Sequence, residues 1–569
     1  MHHENQQLGH QFSRFFFKNH SLNTAIQWMI VLMIVLGVFF RCFNLDHKVY
    51  WYDEALTSQR NSGYSQIEIV EQWSSGLPIE SSALKKYQSV NPDRSVARTL
   101  ELLALESPQH SPLYFASVRI WGQWFGTSIA AIRSFSVLVS LLSLPCIYWL
   151  SLELFKTPLA AGFSTALFSI SPFQFIYAQE ARPYALLNLA IIVSCTIFLK
   201  ALQTNNLRWW ITYAVTLSFG LYSHPFFVPV LLAQGAVIIC LSLKTGIGKV
   251  INFFLCFLAA CLAYSPWIWI WLVNAQATGK SHHLMSGSKS YGYLLRNWVA
   301  NISRNFIDFG FDFAHTKFSE WLPFLPFLFA VLILVAFAYY LLWRYAEFEA
   351  ALLISLLAII PALPLIARDL ILGGQILENH SVVGRYMMPC YLSINFAVAY
   401  LFSLKITNGS SSKFRYQRFW RSLFALVATV GVISLIISSQ ATHWHHQTTS
   451  SQSIDIAKIV NAKASPLLIV DLNNKAQAGQ LAPQNSVVGD VLSLSHYLND
   501  NVQLVFLLTP PSLDQLREYK KVFKDMFLYG RPTPEFLEGL ESTPELEIIP
   551  AFFDTRYRQY WLLWQLALP

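Results

Sequence analysis

Residues 24–54 read TAIQWMIVLMIVLGVFFRCFNLDHKVYWYDE, and this stretch decides the class of fold. Its first part, 24–40, carries no charge and has the length that crosses a hydrocarbon core of about 30 Å as a helix. Arg14 and Lys18 precede it and no small-residue cleavage site follows. That pattern predicts a retained first anchor, with residues 1–23 on the cytoplasmic side. The last part sets Tyr50-Trp51-Tyr52-Asp53-Glu54 just beyond the anchor. Aromatic rings favour the lipid–water interface, so the two carboxylates are expected at headgroup depth.

The rest of the chain repeats the apolar pattern. Of its 569 residues 54% are hydrophobic and 13% charged, against about 25% charged in soluble domains. Apolar runs lie near 24–43, 129–153, 158–177, 183–202, 208–222, 225–243, 249–273, 322–343, 350–371, 387–404 and 422–439. The expected architecture is an all-α polytopic membrane domain over 24–440, with about 11–13 transmembrane helices. The net charge of +8 does not indicate nucleic acid. Lys405, Lys413, Arg415, Arg418 and Arg421 share one connector without an acid, as a cytoplasmic loop requires. All seven cysteines fall in or beside apolar runs, which excludes a disulfide framework and argues against a thiolate metal site.

Alternating sides away from that basic connector places 274–320, 373–386 and everything after 440 outside. The loop 44–111 is also outside if 112–125 (PLYFASVRIWGQWF) dips rather than spans. The other reading has 112–125 crossing the membrane, with one further span merged or missed. Arg119 and Arg133, flanking a loop counted as external, favour that alternative. Residues 441–569 read as a small outer-face α/β domain. Its expected strands are 466–472, 502–509 and 560–566, with an amphipathic helix over 512–529.

The chemistry-bearing residues fall on the side the count calls external. Asp53 and Glu54 suit either proton transfer or the first turn of a helix. His110 and Tyr114 sit in His110-Ser111-Pro112-Leu113-Tyr114, and Glu180, Arg182 and Tyr184 in a short connector between apolar runs. Charges at such depth are retained for function or for a local salt bridge. His224 breaks the apolar sequence at another turn, and His380, Arg385 and Tyr386 precede the tenth span. Arginine suits phosphate through paired, charge-assisted hydrogen bonds. His443-Trp444-His445-His446 and His282-His283 lack a spaced carboxylate partner and read as interfacial polar residues.

The order WYDEA (51–55), HSPLY (110–114), QEARPYAL (179–186), YSHPFF (222–227) and GRYMMP (384–389) resembles a known family. It is the bacterial branch related to protein O-mannosyltransferases and lipid A aminoarabinose transferases, GT-C-fold enzymes that use polyprenyl-phosphate sugars. The resemblance covers roughly 24–440; Ser111 departs from it, where a second proline is more usual. It implies Asp53 as catalytic base with Glu54 as companion, and Glu180, Arg182 and Tyr184 lining the donor pocket. It also implies His224 on the pocket wall and Arg385 on the phosphate. The implied reaction is inverting transfer to a lipid, glycan or protein acceptor on the periplasmic face of an inner membrane. No cofactor is required, and a divalent metal is compatible. The alternatives are a membrane polysaccharide polymerase or ligase, a lipid-linked sugar transporter, and an anchored binding protein acting through its tail.

Overall fold

The computed structural model describes residues 24–274, 291–310, 322–372, 380–407, 414–447, 450–472, 485–553 and 561–568. Among these, nine helices are long and apolar enough to cross a membrane, from Thr24–Cys42 to Tyr416–Gln440, and the chain is a multi-pass membrane protein. The expected run 158–177 is two helices, Pro158–Ile170 and Pro172–Ala178, bent by 62°, which make a tenth span if counted as one. Leu207–Ser223 is helical too, but its 17 residues reach only about 25 Å at 1.5 Å per residue.

The bend has a local cause and a remote partner. Pro172 lacks an N–H and starts a new helix, with Ser171 as its cap. The carbonyls left open at the end of Pro158–Ile170 are taken by Arg41, which donates to Phe168 O at 3.0 Å and to Ser169 O. Gly37 lets the two backbones come this close, since a Cβ there would overlap Ser169. The bend leads into 179–182, the connector that carries Glu180 and Arg182.

Residues 112–125 form the helix Leu113–Phe125, 13 residues long. That is about 20 Å, short of a hydrocarbon core. Arg119 is buried and donates to the carbonyls of Asn61, Asn91 and Arg94, stapling the first loop together. Arg133 is likewise consumed, by Glu54 and by the carbonyls of Leu45, Lys48 and Val49. Both arginines therefore act as internal braces, which removes them as signals of sidedness.

The first loop and the tail share one sheet. Its strands are β1 (Ile79–Glu80), β2 (Pro466–Asp471), β3 (Gln503–Leu507), β4 (Asp525–Tyr529), β5 (Glu547–Phe553) and β6 (Trp561–Ala567). Their order is β1-β3-β2-β4-β6-β5, with a parallel β3-β2-β4 centre and antiparallel edges. The first loop supplies β1. Its Trp73 stacks on Phe506 of β3 at 4.3 Å, within a hydrophobic core drawn from both segments. The helix expected over 512–529 ends at Val522, and 525–529 is the strand β4 instead. The run DMFLY is buried along four of its five residues, as a strand covered on both faces requires. β5 was not anticipated, because Pro550 interrupts its pattern; it lies at the edge, where proline is tolerated.

Candidate active site

The helix Tyr52–Ser62 begins directly after Trp51, so Asp53 and Glu54 both occupy its first turn. Helical geometry then sends their side chains in different directions. Glu54 is fully buried and receives Arg133 Nε at 2.8 Å, Arg133 Nη2 at 2.6 Å and the Ala181 N–H at 2.7 Å. Its carboxylate is thus engaged by the brace and presents no exposed surface to a substrate. Asp53 keeps 21% of its side chain exposed, against 0% for Glu54, and so can meet a substrate.

Arg182 holds Asp53 in place. It donates to the Asp53 carbonyl at 3.3 Å and to Thr57 Oγ1 at 3.2 Å, and its Nη2 lies 3.7 Å from Asp53 Oδ2. Thr57, one turn after Asp53, also donates to the Asp53 carbonyl at 2.9 Å. Arg385 differs. Its guanidinium carbon stands 5.9 Å from the Trp51 and Tyr184 rings and 5.5 Å from that of Tyr386. Its Nε is buried without a hydrogen-bond partner, and no carboxylate among the described residues pairs with it. Aromatic faces stabilise a cation but do not neutralise it. The site therefore holds a positive charge ready for an anion.

His224 and His110 stand in the field of these arginines. His224 packs on Tyr184 at 5.6 Å, and its Nδ1 accepts the Phe226 N–H at 3.1 Å. Burial, with Arg182 and Arg385 adding to it, pushes its pKa down to about 3. His110 is held well below its ordinary value, first by burial and then by Arg182 and Arg60. Both imidazoles are thereby weaker proton acceptors than a free histidine. Tyr386 stacks on Phe226 at 4.5 Å and Tyr184 packs on Tyr177, so the cage is rigidly backed.

Three expectations change here. Tyr114 is fully buried, with its hydroxyl 2.8 Å from Ser136 Oγ, and packs the helix Leu113–Phe125 against Ile129–Phe155 instead of lining the cleft. Tyr50 and Trp51 are buried too, and the Tyr50 N–H reaches the tail at Tyr497 Oη, 2.6 Å away. These rings belong to a protein core, not to the lipid interface. His446, read as an interfacial residue, reaches Glu180: its Nε2 lies 3.0 Å from Glu180 Oε1. The side chain of His380 and all of His282-His283 lie outside the described residues. Among the described residues, no three His, Cys, Asp or Glu side chains gather as a metal-binding group.

Residues 109–271 match the family described as dolichyl-phosphate-mannose-protein mannosyltransferase. No curated protein sequence matches the chain significantly. Among solved structures, ArnT from Cupriavidus metallidurans in the apo state is similar at a TM-score of 0.48 and 13% identity, covering 96% of this chain and 98% of that one. The same protein bound to undecaprenyl phosphate gives 0.48 and 12%, over 95% and 98%. The apo oligosaccharyltransferase of Archaeoglobus fulgidus gives 0.47 and 12%, over 91% and 70%. The family match takes in His110, Glu180, Arg182, Tyr184 and His224 and leaves out Asp53, Arg385 and the tail. Residues 109–271 of this multi-pass membrane protein are thus similar to the family described as dolichyl-phosphate-mannose-protein mannosyltransferase.

Proposed function

We propose that this protein transfers a sugar from a polyprenyl-phosphate donor to an acceptor hydroxyl on the outer face of a bacterial inner membrane, with inversion at the anomeric carbon. The observation that carries the reading is the aromatic-caged guanidinium of Arg385, without a carboxylate partner among the described residues and on the same Trp51 that leads into Asp53. A lipid phosphate supplies the missing anion, and a planar guanidinium binds it through paired hydrogen bonds.

The acceptor hydroxyl gives its proton to the Asp53 carboxylate as its oxygen bonds to the anomeric carbon. The bond from that carbon to the phosphate oxygen breaks, and its electron pair stays on the phosphate, which leaves as the polyprenyl monophosphate. Negative charge grows on the phosphate during this step, where Arg385 stands as fixed positive charge with Arg182 behind it. The reading invokes no metal or other cofactor. The sugar and the acceptor class, whether lipid, glycan or protein, are for experiment to name.

The test uses membranes containing the full-length protein, given a labelled polyprenyl-phosphate sugar. Lipid, glycan and protein fractions are then read by mass spectrometry. Asp53→Asn is expected to lower transfer by about 10²–10⁴-fold, the range of a lost general base, in a protein that inserts and folds normally. Arg385→Ala is expected to weaken use of the donor. Full transfer by Asp53→Asn overturns the mechanism, and a defect of Arg385→Ala confined to the acceptor overturns its assignment.

A further inference from the structure

The carboxylates around the cleft each have a partner. Glu54 pairs with Arg133, Asp53 with Arg182, and Glu180 with His446. The third pair is the unusual one. Glu180 is fully buried, and its charge and that of Arg385 both act on Arg182 and on Tyr177. Yet its Oε1 is bound to an imidazole delivered from beyond the last span, while its Oε2 is buried without a hydrogen-bond partner.

His446 is held firmly for that task. Its ring stacks on Tyr177 at 5.3 Å and meets Trp51 edge-on at 5.6 Å. Arg385 lies over the same Trp51 ring, so His446 and Arg385 share one aromatic wall. The Nδ1 of His446 is buried without a partner. The Nε2 contact to Glu180 is thus its one hydrogen bond among the described residues. A buried carboxylate with a free oxygen is drawn to a guanidinium that no carboxylate among the described residues pairs with, because pairing relieves two desolvated charges together.

We propose that His446 is a positioning residue that ties back Glu180, and by doing so keeps Arg385 open for the phosphate of the lipid donor. The inference rests on the reading of Arg385 given above. Without the imidazole, Glu180 is free to pair with Arg385 or Arg182 and competes with the donor for them. A loss of His446 therefore acts through Glu180's charge, and removing that charge cancels the loss. A merely structural role for His446 has no such signature.

The test measures binding of a short-chain polyprenyl phosphate to the full-length protein in lipid nanodiscs, by tryptophan fluorescence. His446→Phe keeps the stacked ring and removes the hydrogen bond. It is expected to weaken binding about tenfold, or about 1.4 kcal/mol, and Glu180→Gln in the same chain is expected to restore it. His446→Gln retains an amide donor toward Glu180 and is expected to bind as the wild type does. Normal binding by His446→Phe overturns the proposal, and so does a loss that Glu180→Gln leaves in place. If His446→Phe fails to fold, weak binding by a normally folded His446→Gln overturns it instead. Arg385→Ala separates the two levels. Wild-type binding by that variant removes the phosphate site itself, whereas its loss beside an intact His446→Phe removes only the role of His446.

Discussion

Neighbouring acids of identical chemistry should respond in opposite ways to loss of charge. Glu54→Gln keeps the size of the side chain but takes the negative charge from a pair that is 0% exposed on both sides. Breaking a buried ion pair from one side costs about 3–5 kcal/mol, because the remaining charge is stranded. Arg133 would still hold the carbonyls of Leu45, Lys48 and Val49 at 2.7, 3.1 and 2.8 Å. The glutamine oxygen can still accept one of the bonds made at 2.6–2.8 Å by Arg133 and the Ala181 N–H. The expected loss is therefore at the low end, about 3 kcal/mol. The assay pairs thermal unfolding of the solubilised protein with transfer per folded molecule. Glu54→Gln should melt early and keep its per-molecule rate within about tenfold, while Asp53→Asn melts normally and loses its rate. A Glu54→Gln protein with a wild-type melt and no transfer would refute the division of labour.

Two shorter expectations stand beside it. Burial raises the Asp490 pKa to about 7, against the pull of Arg531 and a hydrogen bond from Ser450. The folded state thus binds this proton more tightly than the unfolded chain does. The resulting stabilisation is full below the unfolded carboxyl pKa and is lost as pH rises through about 7. Asp490→Asn should flatten the dependence of the melting temperature on pH between 5 and 8, and an unchanged profile would rule out this group as its source. Excess chelator during the membrane assay should leave transfer intact; a loss that added divalent ion reverses would bring a metal into the mechanism.

The membrane helices were legible because lipid demands a long apolar run wherever the chain crosses, a constraint written locally in sequence. The break at Ser171-Pro172 was not, since the run continues through the proline and the rescuing Arg41 lies 128 residues away from Ser169. Strand β4 was read as helix because DMFLY directly follows an amphipathic helix, and only its two-sided burial distinguishes them. At the site, the residues that meet were all visible as types, but their partners were not. The Glu54–Arg133 pair spans 79 positions and the Glu180–His446 pair 266. The second distance is why the histidines after the last span looked solitary. His445 also has an acid nearby, with Asp308 3.9 Å away.

In sequence the tail reads as a separable unit, and the packing around Tyr52 argues otherwise. The Tyr52 N–H, first in the helix that carries Asp53, donates to Ser450 Oγ at 3.1 Å, and Ser450 in turn donates to Asp490 at 3.2 Å. The Tyr52 ring lies against Gly489, where a Cβ would stand 2.5 Å from it. Deleting 443–569 would therefore strip the catalytic helix of its support together with His446, and loss of transfer in such a truncation would not show that the activity resides in the tail. A single methyl separates the alternatives. Gly489→Ala keeps the tail complete and pushes Tyr52, and with it Asp53, by a fraction of an ångström to an ångström. Misplacement of that size can lower a rate by about 10²-fold. A drop of tenfold or more in transfer, with the tail still folded by limited proteolysis, is the expected result. Full transfer from Gly489→Ala would mean that the tail touches the catalytic helix without fixing it.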